Sequence, residues 1–144
     1  MNTISYDRML DKIHGCWYGK CLGGAAGAPV EGIKKIIDVD GFEEIYNPDL
    51  PNDDLDIQLL WLDVLERKGI NITSCDLADA WLEKCWYPFS EYGYFMKNYE
   101  RGLKPPYSGI LNNDFFKEGM GCPIRSEIWG LISAGNAKLA ADYA

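Results

Sequence analysis

Two adjacent carboxylates stand in the segment Asn52-Asp53-Asp54, where a helix is expected to begin. The N-terminal end of a helix stabilises negative charge, and hard cations such as Mg²⁺ or Ca²⁺ bind clusters of carboxylate and amide oxygens. Asn and Asp are also frequent as helix caps, with acidic residues in the first turn. The tripeptide by itself therefore indicates either a set of metal ligands or a helix cap, and capping is the commoner use of this pattern.

Another carboxylate, Glu31, follows the small-residue segment Gly23-Gly24-Ala25-Ala26-Gly27-Ala28-Pro29-Val30. Such a segment allows a ligand to approach the backbone closely, so Glu31 could act as a general base or hold a ligand in position. The alternative is a helix that is ended by proline and followed by a solvent-facing glutamate. This segment alone leaves both interpretations open.

A glycine-rich turn, residues 118–125, leads into a predicted helix and contains Gly119, Gly121 and Arg125. Backbone N–H groups that are exposed at a helix start bind phosphates, although no Gly-Lys-Ser/Thr follows here as it does in a Walker loop. A purely structural turn is the alternative. Arg125 could pair with a phosphate or, equally well, with a buried carboxylate.

Asn112 and Asn113 precede this turn and could hydrogen-bond a ribose or a base, while a neighbouring aromatic ring could stack on adenine. The alternative for these two residues is an Asx turn. They lie in an aromatic stretch, residues 88–124, for which only a short helix at Phe95–Arg101 is predicted. An irregular span of this length inside a compact domain usually serves a function.

Apolar residues recur at helical spacing and strand signals are scarce, so we predict an all-α protein. The longer predicted helices run from Ser5 to Gly27, from Asp53 or Asp54 to Lys68, from Asp76 to Tyr87, and from Arg125 to the last residue with a break at Gly135-Asn136. The first helix carries a glycine at positions 15, 19, 23 and 27. Each glycine costs a helix up to about 1 kcal/mol, so we expect another backbone or a ligand loop packed against these glycines.

Length and composition exclude several classes of protein. The chain has 144 residues, 47% of them hydrophobic and 25% charged, which is typical of one globular domain. The 14 basic and 22 acidic residues give a net charge of −8, so duplex nucleic acid is a poor partner. No apolar run is long enough to span a membrane and no signal peptide is evident, so no membrane partner is expected. Five cysteines without a CxxC pair argue against structural zinc and favour free thiols in the cytoplasm.

The order of these segments along the chain resembles the ADP-ribosylglycohydrolase family, the group that includes dinitrogenase reductase-activating glycohydrolase. The resemblance extends from Asp11 to Ala144. It rests on the Gly-Ala-Pro-Val-Glu ending of the first helix, on Asp53-Asp54, and on the loop from Gly119 to Arg125 before Trp129-Gly130. It implies an all-α bundle around two Mg²⁺ ions that cleaves the glycosidic bond between ADP-ribose and a protein or small-molecule acceptor.

The resemblance also implies roles for individual residues. Asp53 and Asp54 match the first acidic pair that binds Mg²⁺, and Asn52 stands where many members have threonine or serine, with an amide oxygen that could still bind the metal. Glu31 matches the glutamate that faces the substrate ribose, so Glu31 or a metal-bound Asp54 would handle the catalytic proton. The substrate-binding residues would be Asn112, Asn113, Gly119, Met120, Gly121, Cys122 and Arg125.

Two departures from the family pattern bear on activity. Gly24 stands where the first helix usually carries an aspartate, and the family's C-terminal half, which completes the metal pair, does not follow Ala144. We therefore expect residues 1–144 to be a single partial domain that is inactive alone, because Mg²⁺ requires near-octahedral oxygen coordination. Its exposed apolar helices would favour self-association. The alternatives are a non-catalytic module that binds ADP-ribose or a related nucleotide, and a helical interaction domain without a ligand site.

Overall fold

The computed structural model describes residues 3–85 and 87–144, and within these residues all regular structure is helical. Their α-helices are α1 (Tyr6–Gly27), α2 (Asp53–Lys68), α3 (Ser74–Lys84), α4 (Ser90–Glu100), α5 (Tyr107–Ile110), α6 (Glu127–Ile132) and α7 (Ala137–Tyr143). Short 3-10 turns cover Ala28–Val30, Phe42–Glu44, Gly69–Asn71 and Pro123–Arg125. The prediction of an all-α protein is confirmed. None of the described helices is long and apolar enough to cross a membrane.

The chain divides into two compact units, residues 1–55 and 56–144. In the first unit, α1 begins after Ser5, whose Oγ accepts a hydrogen bond from Arg8 N at 3.3 Å, as the predicted cap requires. Ala26 is the only buried residue of α1, and the other residues of this helix are half-buried or exposed. Pro29 lies in the first positions of the 3-10 turn after α1. A backbone N–H would have no partner within the turn at these positions, so the N–H that proline lacks is not needed.

The glycines of α1 have a more open environment than the sequence predicts. No described atom outside the helix lies within 4 Å of the place where a Cβ would stand at positions 15, 19, 23 and 27. The expected close approach of another backbone is therefore not provided by the described residues at these four positions. A close contact is made instead at Gly24, the residue after the third of them.

The second unit has a core rich in aromatic residues. Its α2 residues are Ile57, Leu60, Trp61 and Val64, which recur at helical spacing, and Leu65 packs against them partly buried. The rest of the core is Ala80, Trp81, Tyr87, Tyr92, Ile128 and Trp129. The ring centroid of Trp81 lies 5.7 Å from that of Trp61 and 4.9 Å from that of Tyr92. Tilted ring pairs at these distances add to the energy of burial.

The boundaries of α3 and α4 differ from the predicted ones. α3 ends at Lys84 rather than Tyr87, because the backbone becomes extended at Cys85 and Tyr87 enters the core. α4 begins at Ser90 rather than Phe95, and it contains Gly93 in its first turn. A Cβ on Gly93 would stand 2.4 Å from Pro88 O, so this glycine permits close packing and does not break the helix.

The predicted C-terminal helix is two helices, α6 and α7, separated in the region where the break is expected. Gly135 has a φ of +82°, and Asn136 caps α7 by accepting a hydrogen bond from Leu139 N at 3.1 Å. The predicted start at Arg125 falls in the 3-10 turn, and α6 itself begins at Glu127.

The N-terminus of α6 is held by a side chain from α2. Gln58 is almost completely buried; its Oε1 accepts from Ile128 N at 3.1 Å, and its Nε2 donates to Glu127 Oε2 at 2.8 Å. Ser126, the residue before the helix, provides no side-chain cap. Gln58 therefore supplies the acceptor that a local capping residue would otherwise provide.

Candidate functional site

The predicted metal ligands lie at the start of α2, in the first unit. Asp53 and Asp54 are the first two residues of that helix, and both are half-buried. Asn52 precedes the helix, and its carbonyl oxygen accepts a hydrogen bond from Leu55 N at 3.2 Å. The two carboxylates therefore stand at the positive end of a helix, as the sequence predicts, where unpaired N–H groups stabilise negative charge.

The side chain of Asn52 packs against α1 at Gly24. A Cβ on residue 24 would stand 1.7 Å from Asn52 Nδ2 and 3.0 Å from its Cγ, so the amide fills the space of the missing side chain. Beside this contact, Asn47 N donates a hydrogen bond to Ala25 O at 2.8 Å. Positions 24 and 52, the two that the resemblance marks as departures, are thus in direct contact.

Glu31, the predicted catalytic carboxylate, follows the 3-10 turn at the end of α1. Its backbone N–H donates to Ala28 O at 3.3 Å, and the residue is exposed. The sequence leaves two interpretations open, a glutamate that holds a ligand and a glutamate that faces solvent, and the structure has Glu31 facing solvent. This position leaves the carboxylate accessible to water and to ligands.

The donors at the start of α2 are of the kind that Mg²⁺ prefers, but they are few. Asp53 and Asp54 supply carboxylate oxygens and Asn52 supplies an amide oxygen, which are hard ligands suited to this ion. Within residues 3–85 and 87–144, no group of three or more His, Cys, Asp or Glu side chains could hold a metal ion. The described residues therefore form no such group at the start of α2.

The glycine loop of the second unit, residues 118–125, has an exposed part and a buried part. Gly119 N donates a hydrogen bond to Phe116 O at 2.9 Å and closes a turn at the start of the loop. The side chains of Met120 and Cys122 are exposed. The structure therefore contains a turn in this segment, which is the alternative that the sequence leaves open to a phosphate-binding loop.

The buried part of the loop is Gly121. A Cβ at this position would stand 2.2 Å from Glu91 Oε1 and 3.3 Å from Arg125 Nη1. The loop backbone thus passes against two charged side chains, and only glycine fits without displacing them.

The two asparagines before the loop have different environments. Asn112 is exposed and has a φ of +56°, a left-handed conformation that asparagine tolerates better than most residues. Asn113 is only 2% exposed, and its Nδ2 donates to Gly109 O at 2.9 Å. Its Oδ1 has no hydrogen-bond partner among the described residues. Asn113 therefore carries a buried acceptor for which the described chain supplies no donor.

A cavity of about 550 Å³ in the second unit brings most of the predicted substrate-binding residues together. Those that line it are Asn113, Gly119, Gly121, Cys122 and Arg125. Asn112 and Met120 are not in its wall. Aromatic rings form much of the wall, namely those of Trp61, Trp81, Tyr92, Phe95 and Phe116. Small-molecule sites typically occupy roughly 300–1,000 Å³ and combine apolar walls with a few polar groups, as this cavity does.

Arg125 lies over the aromatic wall of this cavity. Its guanidinium carbon is 5.4 Å from the ring centroid of Trp81 and 5.9 Å from that of Tyr92, distances at which a ring face attracts a cation. Its Nη1 is buried and donates to no described atom, and no described carboxylate forms an ion pair with it. A buried donor without a partner costs about 1–3 kcal/mol, a cost that a ligand acceptor would remove.

Buried polar atoms without a partner are concentrated at this cavity. The described residues contain four such side-chain atoms, and three of them, Trp81 Nε1, Asn113 Oδ1 and Arg125 Nη1, belong to residues of the cavity wall. Buried polar groups are normally paired within the protein or with water. Three of the four unpartnered polar atoms of the described residues therefore belong to residues around this cavity.

Trp81 and Glu91 are among the cavity residues that are not identified from the sequence. Trp81 is typical of a buried helix face, and Glu91 lies in the stretch that lacks a clear helical pattern. The available signal is the spacing of Tyr92, Phe95 and Tyr99, which follows one face of a helix and would place Glu91 in its first turn.

Comparison with known proteins agrees with the resemblance seen in the sequence. The model of the ADP-ribosylglycohydrolase family matches residues 5–144 of the 144-residue chain. No curated protein and no solved structure matches it. Members of the matched family act on ADP-ribosylated substrates and are generally metal-dependent hydrolases. The match covers almost the whole sequence, and the chain therefore belongs to the ADP-ribosylglycohydrolase family.

Proposed function

We propose that this chain is part of a Mg²⁺-dependent hydrolase that cleaves the glycosidic bond between ADP-ribose and a protein or small-molecule acceptor. One observation carries the proposal. Five of the seven residues that the family resemblance assigns to the substrate line a single cavity, Asn113, Gly119, Gly121, Cys122 and Arg125. Residues that bind one ligand must share one cavity, whereas unrelated turns and caps have no reason to do so.

The cavity suits ADP-ribose in size and in chemistry. This ligand has a flat base, two phosphates and two riboses with free hydroxyls. Aromatic walls can pack against the flat faces, and the glycine backbone allows phosphates to approach closely. Arg125 brings a charged guanidinium to the wall for a phosphate, and Asn113 brings an amide group that can pair with a hydroxyl or an amine.

We assign Asp53, Asp54 and the amide oxygen of Asn52 to part of a Mg²⁺ site. Their oxygens match the ion in type, and further oxygen ligands are needed to complete each of the two metal shells expected for the family. When bound, Mg²⁺ would supply charge stabilisation and a more acidic water molecule.

Hydrolysis also requires a group that accepts a proton. The bond between ribose C1″ and the acceptor atom breaks, the oxygen of a water molecule bonds to C1″, and the acceptor leaves with a proton. Glu31 is exposed and can accept the proton of the attacking water, and Asp54 is the second candidate for this role. Positive charge develops on the ribose as the bond breaks, and nearby carboxylates stabilise it.

A second function, binding without turnover, is favoured by the small number of metal ligands. The described residues contain no group of three or more acidic, His or Cys side chains around one point. We propose that residues 1–144, as a single partial domain, bind ADP-ribose or a related nucleotide and do not hydrolyse the linkage alone.

The partner in either case is an ADP-ribosylated protein or an ADP-ribose-like small molecule. We place this interaction in the cytoplasm, because all five cysteines are free. Free thiols persist in a reducing compartment.

The proposal is tested by Mg²⁺-dependent release of ADP-ribose from modified proteins, together with calorimetric binding of free ADP-ribose. The full-length parent protein and the 144-residue chain are measured side by side. The double variant Asp53→Ala/Asp54→Ala should abolish release by the parent protein. The control Asp38→Ala/Asp40→Ala removes two exposed carboxylates from the same unit and should leave release unchanged.

Each outcome separates the two functions. Metal-dependent release that is lost only in the Asp53/Asp54 variant supports the hydrolase. Binding of ADP-ribose without release by the parent protein supports the binding module. Release by the 144-residue chain alone would show that the partial domain is active, and absence of both binding and release would contradict the proposed function.

A further inference from the structure

Glu91 is a charged residue of the cavity wall that has no role in the chemistry proposed above. It lies in the first turn of α4 and is half-buried. Within the described residues, its carboxylate takes part in no hydrogen bond and no ion pair. A half-buried carboxylate without a hydrogen bond or an ion pair to the protein is available to a ligand in the cavity.

Glu91 and Arg125 flank Gly121. The position of a Cβ on this glycine lies 2.2 Å from Glu91 Oε1 and 3.3 Å from Arg125 Nη1. The opposite charges thus approach the same point of the loop without forming an ion pair, and Arg125 lies over the rings of Trp81 and Tyr92 instead. An acceptor and a donor therefore stand side by side in one cavity wall.

A carboxylate beside a guanidinium selects ligands by their chemistry. A bare phosphate is attracted by Arg125 but repelled by Glu91, because phosphate and carboxylate are both negatively charged. A sugar phosphate satisfies both side chains, since its hydroxyls donate to the carboxylate and its phosphoryl oxygens accept from the guanidinium. The ring of Trp81 adds an apolar face on which a sugar can pack.

We propose that Glu91 and Arg125 form a recognition pair for a ribose phosphate, in which Glu91 accepts hydrogen bonds from ribose hydroxyls and Arg125 donates to the adjacent phosphate. The inference rests on the proposed function, because ADP-ribose is the ligand that brings a ribose phosphate to this cavity. Glu91 makes the cavity selective for the sugar, and a Cβ at position 121 would shift the Glu91 carboxylate from its present position.

The test measures calorimetric binding of ADP-ribose and of inorganic pyrophosphate to the whole 144-residue chain. Glu91→Gln keeps the size of the side chain and removes its charge. We expect this variant to bind ADP-ribose about tenfold more weakly, the loss expected for a hydrogen bond to a charged group. Pyrophosphate should bind equally well or more tightly, because a repulsive charge is gone. The control Glu100→Gln, at the other end of α4, should change neither affinity.

A third ligand identifies the group that Glu91 contacts. Inosine diphosphate ribose keeps both riboses and replaces the amine of the base by a carbonyl, so Glu91→Gln should weaken its binding tenfold as well. A loss confined to ADP-ribose would assign Glu91 to the base and overturn the inference. Arg125→Lys is the second variant, and it should weaken the binding of both ADP-ribose and pyrophosphate because the planar donor pair is lost.

The remaining outcomes separate this inference from the proposed function. Unchanged ADP-ribose affinity in Glu91→Gln, with normal binding by the unsubstituted chain, would overturn the recognition pair alone. Equal weakening of ADP-ribose and pyrophosphate would do the same, since it would indicate a general distortion of the cavity. No binding of ADP-ribose by the unsubstituted chain would overturn both the recognition pair and the proposed binding of ADP-ribose by residues 1–144.

Discussion

The two units of the chain use their helices in different ways. In residues 1–55, the 22-residue α1 buries only Ala26. In residues 56–144, several shorter helices enclose a core in which Trp81 is 3% exposed and Ile57 is 1% exposed. The candidate catalytic groups of the first unit stand at helix ends, whereas the ligand-binding groups of the second depend on packing between helices. The same kind of substitution should therefore have unequal effects in the two units.

The largest effect is expected from truncation of an aromatic residue in the second unit. Trp81→Ala removes a buried ring that contacts Trp61, Tyr92 and Phe95, and it should lower the free energy of unfolding by about 3–5 kcal/mol. Tyr18→Ala in α1 is the matched change, and because Tyr18 is 69% exposed it should alter stability by less than about 0.5 kcal/mol. Urea unfolding of both variants measures the difference. Comparable losses of unfolding free energy in the two variants would show that aromatic residues contribute equally to stability in the two units.

Loss of the cap on α6 should have the next largest effect. Gln58→Leu replaces the amide by an apolar side chain of similar size and leaves Ile128 N without its acceptor. The free energy of unfolding should fall by about 2 kcal/mol. The amide of Ile128 should also exchange its hydrogen faster. Glu66→Leu, at an exposed position of the same helix, is the control. Unchanged exchange at Ile128 would contradict the assigned cap.

Glycine-to-alanine changes sharpen the comparison, because they should act in opposite directions in the two units. Gly93→Ala in α4 places a Cβ 2.4 Å from the backbone oxygen of Pro88 and should destabilise the second unit by at least about 1 kcal/mol. Gly15→Ala in α1 meets no described atom and should stabilise the helix by up to about 1 kcal/mol. Thermal unfolding of both variants gives the direction of each change in stability. Stabilisation by Gly93→Ala would refute the close packing of α4 against Pro88.

The smallest effect is expected from the capping box of α3 and depends on pH. Hydrogen bonds from Lys68 and Thr73 lower the pKa of Asp76 from 3.8 to about 2. Because the folded-state pKa lies below the unfolded one, the carboxylate contributes stability above about pH 3.8, and this contribution is lost as the pH falls through about 2.

Unfolding measurements between pH 5 and pH 2 test this dependence. Asp76→Asn should flatten the fall in stability over that window, while Asp142→Asn, which alters an exposed pair with Lys138, should follow the unsubstituted chain. Parallel curves for all three proteins would indicate that the capping box does not couple stability to pH.

Local signals were sufficient to predict much of the fold. The cap at Ser5, the start of α2 at Asp53 and the buried face of α2 follow from residue types and spacing within one or two turns of a helix. The break before α7 likewise follows from Gly135 and Asn136. The roles of Asp53, Asp54 and Glu31 stay predictions, since only their positions at helix ends are observed.

Contacts between distant residues could not be predicted from these signals. Gln58 and Ile128 are 70 residues apart, and nothing near either residue indicates that one caps the other. Glu91 lies close to Gly121 for a similar reason, because the packing of α4 against the loop brings them together. The sequence predicts the start of α4 too late, at Phe95, and the turn that it misses contains Gly93, whose small size allows close packing against Pro88.

The contact between Gly24 and Asn52 also makes substitutions at these two positions depend on each other. The family resemblance leads us to expect an aspartate at position 24 and a threonine or serine at position 52. A change of Gly24 to aspartate would place a Cβ 1.7 Å from Asn52 Nδ2, so the Asn52 side chain would have to rotate away. A smaller residue at position 52 removes this requirement. We therefore expect the effect of the two changes together on stability to differ from the sum of the single effects.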